Sequence, residues 1–215
     1  MSEAKILHID RDQPQSRLIA DAAEIIRRGG VIAYLTDTLY GLGADAFNAA
    51  AIQKVFAIKS RSGEKALPVI IGNRDMLSKL VLEISSDAEK LIKIFWPGPL
   101  SLILPASPAV PSLLHGDSKR IAVRLPACAV ARELAIASGG ALTATSANRS
   151  GKAAAQNVDE VLAALSEEID MIVDSGPATE TRPSTMLDMT ISLPRLLREG
   201  AVSAERINAV IRIQR

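Results

Sequence analysis

Lys59, Arg61 and Lys65 fall within seven residues of "FAIKSRSGEKALPVIIG", residues 56–72, just before an apolar run interrupted only by Pro68. Cations clustered this closely suit a carboxylate or a phosphate, which they hold by charge-assisted hydrogen bonds. Lys59 and Arg61 stand two apart and cannot share a helical face. With Ser60, Ser62 and Gly63 between and after them, a helix is expected to end there and both cations to converge from an irregular segment. Three further stretches carry polar groups at loop positions. "TDTLYGLGAD", 36–45, offers the hydroxyls of Thr36, Thr38 and Tyr40, then Gly41 and Gly43, which suit close approach to a ligand. "TATSANRSGKAA", 143–154, offers Thr145, Ser146 and Asn148. It is not a Walker A loop, because Ser146 stands where the first glycine belongs and Ala153 where the magnesium-binding hydroxyl belongs. "DSGPATETRPSTMLDM", 174–189, is a long polar connection ending in Ser184 and Thr185, of a length that usually signals function.

Other chemistries find little support. Cys128 is the single cysteine, so no intrachain disulfide forms, and it stands at the start of an Ala/Val-rich helical pattern as a small buried hydrophobe. His8 and His115 have no Cys or His at ligand spacing, which argues against a histidine-based metal site or triad. The 25 Lys and Arg against 24 Asp and Glu provide no global field for nucleic acid or membrane. Aromatic residues make up 3% of the chain, a poor stacking surface for single strands. The charged N-terminus is unlike a secretory signal and no apolar run has membrane-spanning length, so a soluble cytoplasmic protein is expected.

These loops need a frame. Apolar, β-branched runs predict strands over 5–9, 31–35, 67–71, 101–104, 121–124, 141–143, 171–173, 185–188 and 195–198. Amphipathic patterns predict helices over 16–28, 49–58, 75–80, 86–95, 129–138, 158–165 and 204–211. Glycines after residues 28 and 138 suit helix C-caps, Asn48, Asn157 and Ser203 suit N-caps, and Glu160 stands at capping-box spacing from Asn157. No linker or repeat divides the chain. The expected fold is one α/β domain over 1–215: a large twisted sheet, mixed and antiparallel, flanked by helices and bearing a concave ligand cavity. The residues alone predict a binder of a small anionic ligand such as a nucleotide.

The same stretches resemble the YrdC-type (YrdC/YciO) family. Its pattern is matched here by "YLTDTLYGLG" (34–43), "KSR" (59–61), "WPGPLS" (96–101), "AVRLP" (122–126), "SANRSG" (146–151), "DSG" with "ST" (174–185) and "LLREG" (196–200), in the family's order and over most of the chain. The resemblance implies adenylate-forming chemistry: ATP, L-threonine and bicarbonate yield threonylcarbamoyl-AMP and pyrophosphate for tRNA threonylcarbamoyladenosine modification. Such a reaction needs positioning and charge neutralisation rather than a covalent nucleophile. Carried over by motif, Lys59 and Arg61 contact the ATP phosphates and stabilise the transition-state charge. Ser146 and Asn148 complete the nucleotide site, joined by Lys119 and Arg198. Thr36, Lys65, Arg124 and Ser184 hold L-threonine, with Arg124 on its carboxylate. ATP enters as substrate with Mg²⁺ expected beside it and no protein-held metal. The implied partners are the small substrates, then tRNA or the downstream threonylcarbamoyl-transfer proteins, without a membrane. The "WPGP" segment reads as a structural corner.

Three departures from the pattern stand out: Leu35 replaces a proline before Thr36, Ala66 replaces one after Lys65, and "TRPST" lacks an acidic residue before Ser184. Two alternatives remain beside the synthase, a YciO-like paralogue of divergent activity and a double-stranded RNA or tRNA-binding module.

Overall fold

The structure is a computed structural model describing residues 4–60 and 66–214. Its strands divide between two mixed sheets instead of forming one. The first contains β1 (Lys5–His8), β2 (Ile32–Leu35), β3 (Tyr40–Gly43), β8 (Thr145–Ser146) and β9 (Met171–Asp174), in the order β1-β9-β2-β3-β8. The second contains β4 (Val69–Ile70), β5 (Leu100–Pro105), β6 (Arg120–Arg124), β7 (Leu142–Thr143), β10 (Thr185–Asp188) and β11 (Arg195–Arg198), in the order β11-β10-β5-β6-β4-β7. Parallel and antiparallel neighbours occur in both. Only Ala144 separates β7 from β8, so the chain crosses from one sheet to the other over a single residue.

The helices are α1 (Ser16–Arg27), α2 (Ala49–Lys59), α3 (Leu77–Leu80), α4 (Ser86–Phe95), α5 (Ser112–His115), α6 (Ala129–Ala137), α7 (Val158–Leu165) and α8 (Ala204–Asn208). In α1 the buried residues Ile19, Ala22, Ala23 and Ile26 follow one helical face. This face joins Val130, Ala131 and Leu134 of α6 against Ile32 and Tyr34 of β2. The alternate β2 residues, Ala33 and Leu35, belong to the larger core on the other side. Strand β2 is therefore buried on both faces, as its unbroken apolar sequence requires.

Local signals act as expected at the helix ends. Asn48 accepts hydrogen bonds from the amides of Ala50 and Ala51. Asn157 caps Glu160, whose carboxylate reaches back to the Gln156 amide at 2.8 Å. Two strands escape the periodicity reading. In β3, glycines and polar residues mimic a turn, yet Gly43 is required inside the hairpin: a Cβ there would stand 2.6 Å from the Tyr34 ring. Gly43 thus makes room for Tyr34 rather than for a ligand. Strand β8 is two polar residues long. Strand β4 is shorter than expected because Pro68 has no amide to donate and Leu67 bonds instead to the Leu114 carbonyl at 2.9 Å.

Candidate functional site

A cavity of about 910 Å³ takes side chains from both sheets, within the roughly 300–1,000 Å³ span of ligand sites. The β2–β3 turn supplies Thr36 and Thr38. The Thr36 hydroxyl donates to the Leu39 carbonyl at 2.9 Å and lies 3.0 Å from the Thr38 hydroxyl, so it braces the turn that carries it.

Lys59 enters from the end of α2, not from an irregular segment. A cation at that position complements the helix macrodipole. Ser60 then takes the left-handed C-cap conformation at φ 47°. Lys59 is buried, and its Nζ donates to the Ser146 carbonyl at 2.7 Å and to Asn148 Oδ1. The Ser146 hydroxyl donates to the same Asn148 oxygen at 2.7 Å, and Asn148 Nδ2 donates to the Lys152 carbonyl. Lys59, Ser146 and Asn148 thus form one preassembled polar cluster. Arg61 and Lys65 lie outside the described residues.

Arg124, at the end of β6, reaches the cavity while buried and donates through Nη1 to Asp37. The other Asp37 oxygen, Oδ2, is buried and has no hydrogen-bond partner among the described residues. Arg198 places its fork on the Ser184 carbonyl, Nε at 3.1 Å and Nη2 at 2.8 Å. The Ser184 hydroxyl lies 3.0 Å from that of Ser101. Burial first, and then the neighbouring Arg124 charge, lowers the Arg198 pKa. Two guanidiniums facing one cavity disfavour each other, and an anion between them relieves the repulsion.

Lys119 does not join this group. It is exposed, holds a left-handed conformation at φ 52°, and uses its carbonyl to accept the Ala106 amide at 2.9 Å. Lys119 is not among the residues that line the cavity. Asp37, Ser101 and Lys152 are contributors that motif reading did not assign. Asp37 and Ser101 were inside quoted motifs, but only packing reveals that one pairs with Arg124 and the other with Ser184. The "WPGP" corner is structural: buried Trp96 donates Nε1 to the Leu100 carbonyl at 2.6 Å, and the Gly98 amide bonds Leu125.

Known proteins resemble this chain in sequence and in fold. A family model described as Sua5_yciO_yrdC, telomere recombination, matches residues 24–200. The threonylcarbamoyl-AMP synthase of Pyrococcus abyssi is 38% identical over 201 residues, covering 94% of this chain and 59% of that protein. This chain therefore spans rather more than half the length of that relative. The crystal structure of P. abyssi Sua5 complexed with L-threonine superposes with a TM-score of 0.93 at 37% identity, over 97% of this chain and 62% of the other. E. coli YciO superposes with a TM-score of 0.87 at 29% identity, over 95% of this chain and 99% of the other. With all seven quoted motifs falling within the matched span, the chain belongs to the Sua5/YciO/YrdC family.

Proposed function

We propose that this chain is an L-threonylcarbamoyladenylate synthase acting as one domain over 1–215. The observation that carries the reading is the convergence of Thr36, Lys59, Arg124, Ser146, Ser184 and Arg198 on one cavity. These residues come from motifs far apart in sequence. The threonine amine and bicarbonate combine to a carbamate with loss of water. A carbamate oxygen then attacks the ATP α-phosphorus, and the β,γ-pyrophosphate leaves. No side chain needs to become covalently attached. The chain's work is to align two anionic substrates and offset the charge that develops on the transferring group.

In this scheme the Lys59–Ser146–Asn148 cluster receives the nucleotide, with the phosphates drawing on the Lys59 ammonium, Arg61 and Arg198. Arg124 keeps one edge on Asp37 and offers the remainder of its fork to the threonine carboxylate. Thr36, Lys65 and Ser184 complete the amino-acid side. Mg²⁺ would accompany the triphosphate, supplying charge neutralisation there. Among the described residues, no group of three or more His, Cys, Asp or Glu could hold the ion independently. Threonylcarbamoyl-AMP would pass to tRNA modification, making tRNA and the threonylcarbamoyl-transfer proteins its macromolecular partners and the cytoplasm its compartment. No helix among the described residues is long and apolar enough to cross a membrane.

The near-complete span of E. coli YciO favours a second reading, a paralogue of different activity. One assay separates them. Incubation with ATP, L-threonine and bicarbonate is expected to release pyrophosphate only when threonine is present and to yield threonylcarbamoyl-AMP by mass spectrometry. ATP binding without that product would overturn the synthase reading and favour the paralogue.

A further inference from the structure

Three successive carbonyls after β9 are each held by a side chain from a distant part of the chain. The Ser175 carbonyl accepts from Arg11 Nε at 2.9 Å, the Gly176 carbonyl from the Tyr40 phenol at 2.8 Å, and the Pro177 carbonyl from Arg11 Nη2. The Gly176 amide donates to Asp174 Oδ1 at 2.9 Å, and His8 Nδ1 lies 2.9 Å from Asp174 Oδ2. Gly176 has φ +92°, and a Cβ there would stand 3.3 Å from Arg11 Nη2. The guanidinium therefore lies closely against the one residue type that tolerates this turn.

Beyond this anchor the loop is thinly held. The Ala178 amide donates to the Gln156 carbonyl at 2.7 Å. Over 179–182, the hydrogen bonds among the described residues only join Arg182 to Glu180. Thr181, Pro183 and Ser184 then line the cavity, where Arg198 holds the far end. The place of that wall is set by its two ends. Tyr40 also ties the opposite wall, because its amide donates to the Ala155 carbonyl at 3.1 Å and its carbonyl accepts the Ala147 amide at 2.8 Å.

We propose that Arg11, with the Tyr40 hydroxyl, is a positioning residue for ligand binding: together they pin the 175–177 carbonyls and so set where Thr181 and Ser184 stand in the cavity. Arg11 lies outside the family-matched residues 24–200. The identity of the ligand at that wall, L-threonine, rests on the synthase reading; the pinning does not.

Arg11→Ala, Arg11→Lys, Tyr40→Phe and the Arg11→Ala/Tyr40→Phe double variant test it. Hydrogen exchange of the Gly176 and Ala178 amides is expected to speed up about tenfold or more in Arg11→Ala and further in the double variant, with the α1 and β2 amides unchanged. L-Threonine titrated in the presence of ATP should bind about five- to tenfold more weakly to Arg11→Ala, with partial recovery in Arg11→Lys, while the Kd for ATP alone moves less than about twofold. Unchanged exchange in the double variant overturns the proposal. Faster exchange with an unchanged threonine Kd also overturns it, because the anchor would then serve the fold alone. A wild-type chain that binds neither ATP nor threonine would retire the synthase reading, and exchange with Thr181 and Ser184 probed by cysteine labelling would then decide the proposal: unchanged labelling rates in the anchor variants would refute it.

Discussion

Arg124 and Asp37 show how much one residue's role depends on its partner. Their side chains are 7% and 10% exposed, so neither charge has water to fall back on. Removing one member of a buried pair leaves the other uncompensated, which typically costs about 3–5 kcal/mol. Opening onto the cavity places this pair toward the lower end of that range. Asp37→Ala and Arg124→Ala are each expected to lower the unfolding free energy by about 3 kcal/mol, and the double variant by less than their sum, read by urea denaturation in a double-mutant cycle. Strict additivity would show that the two side chains do not act as a pair. Arg124→Ala should in addition weaken L-threonine binding about tenfold or more, the worth of a charge-assisted fork on a carboxylate. An unchanged threonine titration would remove Arg124 from the carboxylate role.

At the scale of elements, the β2–β3 hairpin places both of the chain's tyrosines inside. Tyr34 donates to the Thr143 carbonyl at 3.0 Å, tying the hairpin to β7, and its ring occupies the space left by Gly43. Burial is the first cause raising both phenol pKa values, and at Tyr40 the nearby Asp174 carboxylate adds to it. The fold thus binds the neutral phenols, and the native state keeps these protons longer than the unfolded chain does. Their contribution to stability is complete below about pH 10, the unperturbed phenol value, and is lost as pH rises toward the raised native values. An alkaline titration is expected to show no phenolate absorbance until the fold opens, then one cooperative rise coincident with loss of secondary structure by circular dichroism. Early titration of either tyrosine in the folded chain would contradict this placement. Gly43→Ala sets a Cβ 2.6 Å from the Tyr34 ring and should cost about 1–3 kcal/mol by the same denaturation measurement.

For the whole molecule, near-neutral charge and a cation-lined cavity fit a protein that holds one triphosphate rather than tracking a polyanion. Raising salt from about 50 to 200 mM should weaken ATP binding by less than about tenfold in calorimetry, against about 10³–10⁵ for a protein that neutralises 6–10 duplex phosphates. A steep dependence of that second kind, with duplex RNA as ligand, would favour the RNA-binding alternative.

Much of this was readable from residue order alone. The helices α1, α2, α4, α6 and α7 and the longer strands follow from periodicity and caps, because burying an apolar face demands a matching spacing wherever the chain packs. The family and its motif residues followed from seven ordered segments. What residue order could not reveal was set by neighbours distant in the chain. Strand β3 exists despite its glycines because Tyr34 needs the space. The strands pair into two sheets, which the chain joins at Ala144, because pairing is chosen between segments far apart in sequence. The cavity ties follow the same rule: Lys59 meets Asn148 across 89 residues, Arg124 meets Asp37 across 87, and Arg11 meets Ser175 across 164. Sequence sets the kinds of groups available and their local conformation. Which of them meet, and hence which cation braces the protein and which faces a ligand, depends on packing between segments that no local pattern encodes.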